Sequence, residues 1–258
     1  MARREPQSLP ELQAEHNPAP RSRLNKPRGE MEEHNAVRNY VRDLILGFND
    51  GLVSVYAIVA GVVAAGLATR EVAIAGIAAT VAGAISMGLG EYLSTKSQTE
   101  YYAAEAQRER DHIRKYPQLE RQEVHEMLEA KDYPPELVPR IADHIVADED
   151  RFVDFMMREE FGVGEESERS PFIAMGLVMV AFVVGAAAPL LPFLFGIGGT
   201  TGLVASSVLA LGGLFAAGAG RGKVSGLKPW KSGIEMAALG AVAALITYGV
   251  GTLVGIAV

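Results

Sequence analysis

One acid interrupts an otherwise uncharged run: Asp50 in LILGFNDGLVSVYAIVAGVVAAGLA, Leu44 to Ala68. A carboxylate at membrane depth costs at least ~2.5 kcal/mol even on lenient insertion scales, so chains keep one mainly where it faces a pore, a partner or an ion. Asn49 adds an amide beside it, and Ser54 lies one turn on along the same face. The plainer reading is an acid close enough to the helix start to reach the interface. A second donor group lies in GAISMGLGEYLSTKSQ, where Met87 and Glu91 are one turn apart. A thioether and a carboxylate on one face make a mixed soft and hard pair; core or lipid packing is the ordinary role of such a methionine, and a surface pair with Lys96 the ordinary role of Glu91.

A third set is dense in acids. Glu105, Glu109 and His112 stand at i, i+4 and i+7; Glu120 and Glu123 at i, i+3; and Met156, Met157 and Glu160 recur in DFMMREEFG. Each group places donors on one helical face. Carboxylate and imidazole suit Fe²⁺, Mn²⁺, Co²⁺ and Zn²⁺, and methionine sulphur turns preference away from Mg²⁺ and Ca²⁺. The competing reading is a solvated face whose glutamates pair with Arg108, Arg110, Arg114, Arg121 and Arg158. His125 and His144 read as surface residues.

The elements that must position these groups follow from composition. In 258 residues, 49% are hydrophobic and none is cysteine, with positive mean hydropathy; disulfides, thiolate metal sites and cysteine nucleophiles are excluded. Crossing the ~30 Å hydrocarbon layer takes about 20 helical residues, and the apolar runs supply five crossings: two between 43 and 95, joined by a polar turn at Thr69 to Glu71, and three between 171 and 258. Pro189 and Pro192 should kink or end the third span, and the break before the fourth falls at GIGGTTG. Residues 1–42 read as a disordered tail and an interfacial helix starting near Met31. Residues 96–170 read as an insert of three or four helices divided by prolines, the first continuing straight out of the second span. The fold class is thus an all-α membrane protein with a helical metal-binding insert between its second and third spans. Bases in the tail and in the loop with Arg221, Lys223, Lys228 and Lys231 put tail, insert and loop on the cytoplasmic side. The same topology explains the basic residues without nucleic acid.

Together these residues resemble the vacuolar iron transporter (VIT) family, which carries Fe²⁺ and related divalent metals out of the cytosol in exchange for protons. The resemblance runs from Arg42 to the C-terminus and rests on the DGL at Asp50 to Leu52, SMGLGEYLSTKS at Ser86 to Ser97, the glutamate-rich insert ending in DFMM, APLLP at Ala188 to Pro192 and SGIEMAALGAVAALITYGVG. It implies a homodimer in the lipid bilayer, with a translocation path lined by Asp50 and Met87 and insert ligands at Glu109, Glu120, Glu123, Met156, Met157 and Glu160. His112 replaces one insert glutamate of the plant-type pattern. Ala79 and Phe182 stand where plant-type members carry a second-span glutamate and a third-span tyrosine, so Glu91 becomes the candidate proton carrier. A prokaryotic source would place the chain in the cell inner membrane, a eukaryotic one in the vacuolar membrane.

Two other classes fit less well. A membrane di-iron oxidase needs ExxH twice, and it occurs once, at Glu109 to His112. A metal sensor or storage protein merely anchored by its spans has no use for an acid inside the first of them.

Overall fold

The structure, a computed structural model, describes residues 28–162 and 169–257; of the tail expected to be disordered as far as about Gly29, residues 1–27 lie outside them, while Arg28 and Gly29 already belong to the first helix. Eight helices account for the described residues: α1 (Arg28–Ala64), α2 (Thr69–Lys115), α3 (Pro117–Ala130), α4 (Val138–Val146), α5 (Glu149–Glu159), α6 (Pro171–Leu194), α7 (Gly199–Val224) and α8 (Pro229–Ala257). Five of them, α1, α2, α6, α7 and α8, are long and apolar enough to cross a membrane. This is a membrane protein with several spans. The approach segment from Met31 is no separate element: it and the first span form one helix.

The first turn lies earlier than the sequence indicates. Thr69, Arg70 and Glu71 already belong to α2, and the reversal occupies Ala65 to Ala68. Gly66 takes the left-handed conformation (φ 84°) that ends α1, and Glu71 Oε2 accepts a 2.8 Å bond from the Ala68 N–H. An acidic side chain that looks like loop is therefore a helix cap. Proline shapes the third span as expected at its end: α6 runs through Pro189 and stops two residues after Pro192.

Helix α6 is the centre of the membrane half, packed against both α1 and α2. The α1–α6 approach depends on small residues. A Cβ at Gly51 would meet the Phe182 carbonyl oxygen, and one at Gly185 the Phe48 carbonyl oxygen, so the backbones touch as glycine permits in membrane helices. Gly251 and Gly255 of α8 lie likewise on the α1 backbone at Gly61 and Ala65; these small-residue pairs are used inside the chain. Phe182, 2% exposed, fills the middle of the cluster formed with Val55, Val59 and Ala186.

Beyond its span, α2 continues without a break; α3 and α5 pack on that extension, and α4 packs on α3 and α5. Pro117 opens α3 and Pro139 lies in the first turn of α4, where a missing N–H costs nothing. Val124, Leu128, Ala142, Ile145 and Phe152 form the insert's own apolar core.

Candidate ion pathway

Between α1, α2 and α6 lies a cavity of about 450 Å³ whose lining includes Asp50, Ser54, Ala79, Ser86, Met87 and Phe182. Helical register brings these together: Asp50 and Ser54 are one turn apart on α1, and the Ser54 hydroxyl donates to Asp50 Oδ1 at 3.1 Å. Met87 comes from the facing helix, beside Gly83, whose missing side chain leaves room for the Phe182 ring. Asp50 is half-buried and also borders a groove of about 680 Å³ on the other side of α1, shared with Arg42, Asn49, Arg221 and Met236. A carboxylate, two hydroxyls and a thioether can accept a cation there while the remaining walls stay apolar.

In the insert, Glu105, Glu109 and Glu120 are buried, Glu123 is half-buried, and His112 and Glu160 are exposed. The arginines that might have neutralised them are mostly engaged elsewhere: Arg110 with Asp150 (3.2 Å), Arg114 with Glu149 (2.7 Å), Arg121 with Asp143 and Arg158 with Asp154 (3.0 Å). Arg108 alone reaches a candidate ligand, Glu105, at 2.6 Å. His112 Nδ1 stands 3.8 Å from Glu120 Oε1. Burial first, and then the charges of Glu120 and Glu160, push the Glu109 carboxyl up to about 7. Burial followed by the charge of Glu123 raises both Glu120 and Glu160. Glu109 Oε1 is buried without a hydrogen-bond partner among the described residues. The carboxylates thus crowd one another, although no three His, Asp or Glu side chains among the described residues are close enough to enclose an ion as they stand. Met156 and Met157 are buried, the first in the cluster of Val124 and Phe152, the second beside Val153 and Tyr102.

Glu91 has different partners from those the sequence indicates. Lys96 pairs with Glu100 at 3.7 Å, while Glu91 Oε1 accepts from Thr95 Oγ1 at 3.1 Å and faces Arg169 Nη2 at 3.6 Å. Arg169 also donates to Asp43, which is 3% exposed, and lies 5.8 Å from the Tyr40 ring. Neither Asp43 nor Arg169 stands out in the sequence: they are 126 positions apart, and an acid at the start of a span reads as interfacial.

A family model described as "VIT family" matches residues 41–252. The chain belongs to the VIT family. Among curated proteins, Vacuolar iron transporter 1 of Arabidopsis thaliana is 36% identical over 217 residues, 84% of this chain and 87% of that protein. Vacuolar iron transporter 2 of Oryza sativa subsp. japonica is 34% identical, covering 84% and 89%. Protein CCC1 of Saccharomyces cerevisiae is 31% identical, covering 79% and 66%. VIT membership sets the chain among transporters and not among enzymes. Ala79 and Phe182 both line the Asp50 cavity, and neither adds a polar side-chain atom to its wall.

Proposed function

We propose that this chain exports Fe²⁺ from the cytosol through the Asp50–Met87 cavity by proton antiport. The observation that carries the reading is the cavity itself: a half-buried carboxylate and a thioether face each other from the first two spans, and its curated relatives are named as iron transporters. One carboxylate serves both ions, because a protonated Asp50 is a poor metal ligand and an ionised one a good ligand. Glu91 is the second candidate proton carrier.

The path runs between two protomers. In support, the α1 face bearing Leu46, Asn49, Asp50 and Val53 borders an open groove, which a second α1 would close. Capture belongs to the insert, on the cytoplasmic side with the N-terminus by the distribution of basic residues. There Glu109, His112, Glu120, Glu123 and Glu160 would draw together around a cation, which relieves the mutual repulsion of the carboxylates. Mn²⁺, Co²⁺ and Zn²⁺ are chemically admissible cargoes of the same donor set.

The test is Fe²⁺ flux into proteoliposomes under an imposed pH gradient, comparing the intact chain with Asp50→Asn. Flux that requires the gradient and vanishes in the variant supports the reading. Binding without movement in both would favour a sensor or storage role; flux without the gradient would mean an uncoupled carrier.

A further inference from the structure

Arg169 occupies an unusual place, at the junction of insert and spans and outside any helix, two residues before Pro171 opens α6. Its guanidinium reaches carboxylates on two helices, Asp43 of α1 and Glu91 of α2. Both carboxylates lie on the stripes that form the cavity. Asp43 and Asp50 are seven residues apart, two turns or about 10 Å along one face of α1, and Glu91 is one turn from Met87. The pair Asp43–Glu91 is thus a second rung above the pair Asp50–Met87, on the insert side, and Arg169 fills it. The Arg169 side chain is only 11% exposed, both carboxylates are met by the one nitrogen Nη2, and among the described residues its Nε has no hydrogen-bond partner.

Resting on the transport reading above, we propose that Arg169 is a tethered counter-cation: it neutralises the Asp43–Glu91 pair at the mouth of the path, and a divalent cargo displaces it to reach Asp50. Charge decides the competition. At equal distance and dielectric a divalent ion is drawn to the carboxylates twice as strongly as a guanidinium, whereas a monovalent ion gains nothing over the arginine already there. Ser170 caps α6, its carbonyl accepting from the Ala174 N–H at 3.1 Å, and Arg169 lies just outside that turn, so its guanidinium can withdraw by side-chain rotation with the turn intact. Arg169 is in this sense a positioning and selectivity residue. It keeps the rung from holding the cargo too tightly.

The measurement is Fe²⁺ flux against Fe²⁺ concentration for the full chain, Arg169→Gln and Arg169→Lys in proteoliposomes, with Fe²⁺ affinity of the purified proteins read in parallel by titration calorimetry. In Arg169→Gln the half-saturating concentration should fall roughly tenfold and maximal flux should fall with it, since an unneutralised pair of carboxylates, Asp43 buried and Glu91 half-buried, retains a cation. Arg169→Lys keeps the charge but loses the planar fork; its half-saturating concentration should fall by a smaller factor, which gives a readout should the glutamine variant not fold. A purely structural clamp would lower maximal flux with half-saturation unchanged or raised, and that result in both variants overturns the proposal. If the intact chain moves no Fe²⁺, the transport reading fails by itself, and affinity decides here: tighter Fe²⁺ binding by the glutamine variant supports the counter-cation, unchanged binding overturns it.

Discussion

The cavity between the spans and the cluster in the insert solve opposite problems with the same functional group. The cavity sets Asp50 among apolar walls, one thioether and two hydroxyls. The insert crowds Glu109, Glu120 and Glu160 around Glu123 until burial and mutual repulsion push the first three carboxyls upward. A site with many repelling carboxylates gains most from a cation and should retain it. A site with one carboxylate holds it loosely enough for passage. On the proposed reading, capture and passage call for different densities of charge, and the two clusters stand apart in the fold.

The sharpest way to break this comparison is to remove one side at a time. Asp50→Ala should reduce Fe²⁺ flux to that of empty vesicles at every concentration. Glu120→Ala with Glu123→Ala should instead raise the half-saturating Fe²⁺ concentration roughly tenfold or more, since even groups that only support a ligand typically cost 10–100-fold in metal affinity, and leave maximal flux within about twofold. Equal loss in both variants would erase the distinction.

Gly185→Val tests whether the halves are structurally separable. Its side chain meets the Phe48 carbonyl, and overpacking at a backbone contact should lower stability by roughly 1–3 kcal/mol or more, seen as a lower melting temperature in detergent. Metal affinity of the insert should be unchanged.

Glu109→Gln tests the crowding. A folded-state value of about 7 against the ordinary 4.5 means that the folded insert holds a proton that the unfolded chain releases, so stability falls as pH rises from 4.5 through 7. The glutamine variant should show a shallower slope, keeping only the part due to Glu120 and Glu160, and be the more stable protein at pH 7 without metal, as followed by chemical denaturation at several pH values. The smallest effect belongs to Glu105→Gln: the buried carboxylate is already paired with Arg108, whose own side chain is exposed, and glutamine keeps an acceptor for that arginine, so about 1 kcal/mol should be lost, with metal affinity within about twofold.

The spans were legible because uncharged runs long enough to cross a bilayer have few alternatives, and Pro117 and Pro139 marked helix starts by removing a donor that a helix end does not need. Asp50 and Met87 were legible as exceptions to their surroundings, and helical register then brought them to one cavity with Ser54. The first turn was misplaced because Thr69, Arg70 and Glu71 are polar, and polarity alone does not separate a loop from a capped helix start; Gly66 was the better signal. Arg169 was hidden for another reason. Its partners come from distant helices, and only the packing of α1, α2 and α6 reveals that two carboxylates converge on it. The same holds for the insert arginines, whose partners Asp143, Glu149 and Asp150 lie on neighbouring helices.

Helix α2 carries Met87 at one level and Glu105 and Glu109 at another within 47 uninterrupted residues. At 1.5 Å per residue that is a rod of roughly 70 Å, and Glu109 stands about 33 Å from Met87 along it. Such a rod is a mechanical arm. With Gly88 as fulcrum, a tilt of about 5° would carry Glu109 sideways by about 3 Å over that rise, on the scale of a metal coordination shell. On the proposed reading, contraction of the insert around a cation would reach the cavity as a change in the angle of α2.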